Sequence, residues 1–173
     1  MQTPNTEKSP VELAAQDLFD FAVDREDIKA VLAALHPNAQ TPRHTLEYEL
    51  AILKIISVGW SLAYFLEHSP HKAALAENFW DGVREFSQTV STTSGLMTGQ
   101  NIDYFQILKD RLNTYVGAMN EKTDATEPAA VIGPEFARTC GNADDVFTVM
   151  TGARLFIATI GSVKSYLEEV KLR

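Results

Sequence analysis

Cysteine is nearly missing from this sequence: Cys140 is the only one in 173 residues. A single cysteine excludes an internal disulfide and any zinc site built mainly from thiolates. It also fits a reducing compartment, so we expect a cytoplasmic protein. Residues 1–8 are polar and lack the apolar core of a secretory signal, and we expect them to be a flexible segment rather than a targeting one.

Motifs that carry chemistry are lacking as well. The sequence has no glycine-rich phosphate loop, no His-Glu-x-x-His, no Cys-x-x-Cys and no Gly-x-Ser-x-Gly. No glutamate stands three residues before a histidine, so the di-iron signature of helical bundles is missing. These absences favour a protein that is not an enzyme, and the sequence indicates no cofactor.

Basic patches are also scarce. The net charge is −8, from 23 acidic and 15 basic residues. Residues 1–49 carry nine acids and four bases, and residues 120–145 carry six acids and two bases. Because nucleic-acid binding needs a basic patch that neutralises phosphates, we expect no nucleic-acid partner. The negative charge favours cationic partners or, more simply, keeps the protein soluble.

Helix signals, in contrast, recur along the whole chain. Ser9, Pro10 and Glu12 combine an N-cap, a proline at the first helical position and a capping-box glutamate, which predicts a helix over residues 10–23. Apolar residues at helical spacing predict a second helix that ends before Pro37. Further helices are predicted over residues 45–67, from 69–70 to about 94, 103–119, 135–139 and from 142–145 to about 171, with a loop over 120–133.

This pattern predicts a single all-α domain over residues 1–173. We expect a bundle of four to five main helices, mostly antiparallel, with one or two short extra helices. The helix over 45–67 is almost entirely apolar and is predicted to be buried, with one narrow wet edge. That edge consists of Glu47, Lys54, Ser57, Ser61 and His68.

Residues 50–66 and 146–163 are apolar enough to be tested as membrane spans. Each contains one cation, Lys54 or Arg154, and each falls short of the roughly 20 apolar residues that a bilayer requires. The last helix also divides into an apolar face and a polar one, which a lipid-embedded helix does not need. We therefore predict two core helices and no membrane association.

The polar face of the last helix is unusual because it is made of small, uncharged residues rather than charged ones. Its main members are Thr148, Thr151, Thr159 and Ser162. The opposite face, predicted to be the core side, contains Val149, Met150, Ala153, Phe156, Ile157, Ile160, Val163, Leu167 and Val170. We expect the small-residue face to be covered, either by another helix of the chain or by a second subunit.

Three groups of residues are candidate sites for small ligands or chemistry. Trp60, Tyr64 and Trp80 are candidates for an aromatic pocket, with Arg154 as a charged member and residues 95–102 as a gating loop, although aromatics at helical spacing are more often plain core. His68 and His71 are candidate metal ligands beside Glu67, and a solvated turn is the simpler interpretation. Cys140 has no nearby base in the sequence and is interpreted as a structural cysteine.

The sequence therefore favours a non-enzymatic protein-interaction or regulatory module of helical-bundle type, with a protein partner or self-association. The alternative is a helical bundle that binds a small molecule in an aromatic pocket near Trp60 and Trp80. An enzyme of unfamiliar motif ranks third.

Overall fold

The computed structural model describes residues 7–122 and 127–172. Within these ranges the backbone forms seven helices and no strand. The helices are α1 (Pro10–Val23), α2 (Glu26–Ala33), α3 (Arg43–Phe65), α4 (Lys72–Thr98), α5 (Tyr104–Glu121), α6 (Pro128–Thr139) and α7 (Val146–Glu169). Five of them have 14 residues or more, and α2 and α6 are shorter. The predicted all-α bundle is confirmed. Residues 1–6 of the segment expected to be flexible lie outside the described ranges.

The helices surround α3, which packs against every other helix. The pairs α3/α4, α4/α5 and α6/α7 pack side by side across connections of six residues or fewer, so each pair runs antiparallel. One cluster of buried apolar side chains draws members from all seven helices. This arrangement leaves α7 on the outside of α3, between α2 and α6.

Local capping follows the predicted signals. The Ser9 hydroxyl accepts from the Glu12 amide at 3.2 Å, and the Glu12 carboxylate accepts from the Ser9 amide at 2.7 Å, which completes the capping box. The Asp103 carboxylate accepts from the Gln106 amide at 3.0 Å and caps α5.

Two predicted helix boundaries are wrong. Helix α4 continues through Gly95 and ends at Thr98, and Gly99 follows it with a φ of 69°, which suits the left-handed position after a helix. Helix α6 begins at Pro128 and includes Pro134, so the loop predicted over residues 120–133 is much shorter. The buried side chain of Phe136 anchors α6 in the core, and this packing outweighs the missing backbone donor of Pro134.

The wet edge predicted for α3 is wrong at its centre, where Lys54, Ser57 and Ser61 are fully buried. Each serine hydroxyl donates to the carbonyl four residues earlier, at 2.6 and 2.7 Å, so the helix itself satisfies them. The Lys54 ammonium donates to the Asp24 carbonyl at 2.9 Å and pairs with the Asp27 carboxylate at 3.2 Å. Because α2 and the connection between α1 and α2 supply these partners, the hydrophilic stripe lies inside the bundle.

Helices α3 and α7 are both long and apolar enough to cross a membrane by length and composition. Burial distinguishes them, because 67% of the apolar window of α3 is buried in the protein, against 39% for α7. Helix α3 is the core helix that the sequence predicts. Helix α7 leaves a large part of its apolar surface uncovered.

Candidate functional site

The face that α7 turns to the core differs from the predicted one. Met150 and Ile157, predicted to be internal, are 44% and 53% exposed, while Thr148, Thr151 and Thr159 are buried. The inward face consists of Thr148, Thr151, Gly152, Leu155, Phe156, Thr159, Val163 and Leu167. The small residues lie inside because α7 packs closely against its neighbours, and Gly152 lies directly against the Phe136 ring.

The small-residue face is therefore mostly covered within the chain, which is the first of its two predicted alternatives. The Thr148 hydroxyl lies 2.6 Å from that of Thr41, and the Thr151 hydroxyl donates to the Phe147 carbonyl at 2.6 Å. Buried threonines cannot contact a second subunit, which corrects the interface expected at Thr148, Thr151 and Thr159. Ser162, the fourth member, is exposed.

The uncovered face of α7 carries a line of mostly apolar residues, which we name the outer stripe. Its members are Val146, Met150, Ala153, Ile157, Ile160 and Lys164. They follow one another in steps of four, three, four, three and four residues, and the line extends about 27 Å along the helix. Val146 is 55% exposed, and Ala153 and Ile160 are half-buried. The outer stripe is therefore an apolar surface with the spacing of a helix-packing seam.

An apolar groove of about 370 Å³ adjoins the second half of the outer stripe. Its walls come from α3, α7 and the start of α6: Trp60, Tyr64, Phe65, Pro128, Ile157, Ile160, Gly161 and Lys164. The Trp60 and Tyr64 rings stack with centroids 4.9 Å apart, and Trp60 also contacts Phe156 of α7 at 5.6 Å. Tyr64 is 61% exposed. We call this feature the aromatic groove.

The structure separates the other members of the predicted aromatic pocket. Trp80 packs its ring over Gly59 and against Phe79. Arg154 borders a different depression of about 320 Å³, between α7 and the segment that follows α2. The predicted pocket therefore keeps Trp60 and Tyr64 and loses Trp80 and Arg154.

The gating role predicted for residues 95–102 is not supported. Residues 95–98 belong to α4, and α5 begins directly after this segment with Tyr104, whose ring contacts Tyr48 near the start of α3. Trp60 lies twelve residues further along α3, about 18 Å away. The segment is therefore at the opposite end of α3 from the aromatic groove.

The candidate metal ligands are in an exposed turn. The His68 and Glu67 side chains are 92% and 71% exposed and lie 3.9 Å apart. His71 precedes α4 and is also exposed. Across residues 7–122 and 127–172, no group of three His, Cys, Asp or Glu side chains converges as a metal site would require.

Asp145 fixes the beginning of α7. Its carboxylate accepts from the amides of Gln40 and Phe147 at 2.8 and 3.2 Å and from the Thr148 hydroxyl at 2.8 Å. Burial acts to raise the pKa of Asp145, but these hydrogen bonds outweigh it and hold the pKa below its ordinary value. At the other end, the Ser69 hydroxyl donates to the Leu172 carbonyl at 2.7 Å. Both ends of α7 are thus attached to other parts of the chain.

Replacing Asp145 tests this attachment. Asp145→Ala is expected to lower the free energy of unfolding by about 1–2 kcal/mol at pH 7, because it removes the N-cap of α7 and a shared acceptor. Since the pKa is lowered on folding, this stabilisation is complete above the unfolded pKa near ~4 and is lost as the pH falls through the folded value. Urea unfolding measured from pH 7 to pH 3 should show that the free energies of unfolding of the wild-type protein and Asp145→Ala become equal only in acid.

The exposed neighbour Asp144 provides the control for this prediction. Asp144→Ala is expected to change stability by less than about 0.5 kcal/mol. A difference between the wild-type protein and Asp145→Ala that stays constant down to pH 3 would contradict the account.

Cys140 is a buried thiol rather than a reactive one. Burial raises its pKa to about 12, and the nearby Glu49 carboxylate acts in the same direction. A thiol with a pKa raised by burial stays protonated at neutral pH and is a poor nucleophile. This supports the interpretation of Cys140 as structural.

Thiol labelling tests the burial of Cys140. A chromogenic disulfide reagent at pH 8 is expected to leave the native protein unmodified for many minutes and to react fully once urea unfolds it. Because the chain has one cysteine, the signal reports Cys140 alone. The variant Leu96→Cys, at a position that is 84% exposed, should react at once and is the positive control. Fast reaction of the native wild-type chain would show that the thiol is accessible.

The outer stripe and the aromatic groove are thus two adjoining apolar surfaces that share Ile157, Ile160 and Lys164. Comparison of the chain with family models, curated proteins and solved structures gives no match to any of them.

Proposed function

We propose that this chain is a protein-interaction module that binds its partner through the outer stripe and the aromatic groove. The observation that carries the proposal is the alignment of exposed apolar side chains along α7. Single exposed apolar residues are normal on protein surfaces, but a continuous line of them is typical of a contact surface. Val146, Met150 and Ile157 form such a line over three turns, and Tyr64 extends it sideways.

The composition of the surface supports binding by contact rather than catalysis. Aromatic residues and methionine are enriched at the centres of protein interfaces, and Trp60, Tyr64 and Met150 supply them here. The groups that border the groove and carry charge or hydroxyls are Lys164 and Tyr64. We further propose a cytoplasmic location, for which the single cysteine is the support.

A small-molecule site in the aromatic groove is the second candidate function. Its volume of about 370 Å³ is at the lower end of the range for ligand pockets, and the stacked Trp60–Tyr64 pair offers an aromatic wall. A thermal-shift screen tests it, because a ligand at one hundred times its Kd adds about 2.7 kcal/mol of stability. A metabolite whose stabilising effect disappears in Tyr64→Ala would favour this candidate.

Site-specific photocrosslinking in the native cells tests the interaction module. A benzophenone amino acid at position 157 is expected to give a discrete higher-mass adduct, because Ile157 lies at the centre of the proposed surface. The same amino acid at position 96, which is more exposed and lies outside the surface, is the control and should give none. Adducts of equal yield at both positions, or at neither, would refute the proposal.

A further inference from the structure

The spacing of the outer stripe indicates what shape of partner it fits. Alternating steps of three and four residues are the spacing at which two parallel or antiparallel helices interlock side chains along their length. The stripe is about 27 Å long, enough to contact some five turns of a partner helix. A helix is therefore the partner element that matches the stripe along its whole length.

Gly161 supports the close approach of such a helix. It lies in the middle of α7 at the edge of the aromatic groove, and a Cβ added there would meet no atom within 4 Å. A helix-interior glycine costs about 1 kcal/mol relative to alanine, and here no intramolecular contact requires it. In contrast, Gly152 on the inward face of the same helix is required by Phe136. A partner backbone packed against position 161 would explain why this position has a glycine.

The charges beside the stripe indicate the chemistry of the partner. Between Val146 and Lys164 the helix has two cations, Arg154 and Lys164, while the acidic residues lie beyond the ends of the stripe, at Asp144 and Asp145 before it and at Glu168 and Glu169 after it. Within the described parts of the chain, neither cation forms an ion pair. Arg154 stands one turn from both Met150 and Ile157, so its charge borders the apolar line. In a chain with a net charge of −8, the charged side chains along the length of the stripe are therefore cations, at Arg154 and Lys164.

From these observations we infer that the outer stripe binds an amphipathic helix of another protein that carries acidic side chains beside its apolar face. The inference rests on the proposed function and specifies its partner. The partner's apolar side chains pack between Met150, Ile157 and Ile160, and its carboxylates meet Arg154 and Lys164. Electrostatic complementarity of this kind selects a partner and fixes its register more than it adds affinity.

A second copy of the chain fits the same surface less well. In a symmetric dimer the outer stripe would face itself, since a two-fold interface uses the same patch on both subunits. Arg154 is at the middle of the stripe, so in an antiparallel two-fold pair centred on the stripe it would lie close to Arg154 of the other copy, and the acidic residues Asp144 and Asp145 would lie only at the ends of the interface. Like charges brought together in an interface oppose association.

Two matched synthetic peptides test the inference directly. Each is a helical 24-mer with leucine at the heptad core positions, one with glutamate and one with lysine at the flanking positions. Fluorescence anisotropy, at concentrations where the peptides are monomeric, should show that the glutamate peptide binds at least about tenfold more tightly. Ile157→Lys and, independently, Met150→Lys should each weaken it by about tenfold or more, whereas Leu96→Lys should leave it unchanged. Arg154→Glu combined with Lys164→Glu should reverse the preference.

Several results would overturn the inference. Equal binding of both peptides would refute the preference for acidic side chains. If neither peptide binds, the partner is not a helix. A dimer of the chain alone in sedimentation equilibrium that Ile157→Lys dissociates would assign the stripe to a second copy. Binding to phosphatidylglycerol vesicles that Met150→Lys abolishes would assign it to a membrane. If position 157 crosslinks to a partner in cells but neither peptide binds, only this inference is refuted. If position 157 gives no crosslink in cells, the proposed function itself is refuted.

Discussion

Replacing Arg111 with methionine is expected to lower the free energy of unfolding by about 3 kcal/mol, the largest single-site effect that we predict. The Arg111 guanidinium donates to both carboxylate oxygens of Glu49, at 2.8 and 3.0 Å. This bond raises the pKa of Arg111 above its ordinary value. The Glu49 side chain is only 6% exposed, so the variant leaves a buried carboxylate without its partner. The expected loss is at the low end for buried pairs because Arg111 is partly solvated. Urea unfolding at pH 7 measures it.

The double variant Glu49→Leu/Arg111→Met is the control. Because it removes both charges, it is expected to recover most of the stability that Arg111→Met loses. A double variant that is as unstable as the sum of the two single variants would show that the pair does not act as a unit.

Gly152→Ala is expected to lower the free energy of unfolding by about 2 kcal/mol. A Cβ at position 152 would lie 2.5 Å from two ring atoms of Phe136, and it would also lie 2.7 Å from the Cβ of this fully buried residue. The separation of α6 from α7 would have to increase, and this cost exceeds the gain of about 1 kcal/mol from the better helix former. Equilibrium unfolding in urea measures the change in the free energy of unfolding, provided that its dependence on urea concentration is the same in both proteins.

Gly161→Ala is the matched control in the same helix. Nothing lies near its Cβ position, so the substitution is expected to raise stability by about 0.5–1 kcal/mol. The two glycines differ only in which side of α7 they occupy. If both substitutions change stability in the same direction, the orientation of α7 described above is wrong.

The sequence predicted the helices well where local signals act alone. The capping box at Ser9 and Glu12 and the N-cap at Asp103 depend on residues three positions apart, and both are present in the structure. Pro134 misled the prediction, because its local effect is to end a helix and the packing of Phe136 keeps α6 continuous. Similarly, a lysine such as Lys54 is expected at the surface, and the partners that allow its burial, Asp24 and Asp27, come from a distant part of the sequence.

The functional surface could be predicted only in part. Trp60 and Tyr64 are four residues apart on one helix, so their stacking follows from helix periodicity. The positions of Trp80 and Arg154 could not be predicted in this way, because they depend on how α4 and α7 pack against α3. The outward position of Met150 and Ile157 was hidden, because sorting residues by helical periodicity assigns large apolar residues to the core and threonines to the outside. Thr148 and Thr151 satisfy their hydroxyls across to Thr41 or within α7, so the core accepts them, whereas the buried Thr159 hydroxyl has no hydrogen-bond partner.

The attachment of α7 at both ends has a kinetic consequence. Asp145 holds its first turn to the segment before α3, and Ser69 holds the chain just after its last turn. A surface fixed in this way is preorganised, so a partner that docks on it has little conformational entropy to remove from this chain. Substitutions along α7 that weaken a complex should then act mainly by shortening its lifetime, with the rate of encounter governed by Arg154 and Lys164.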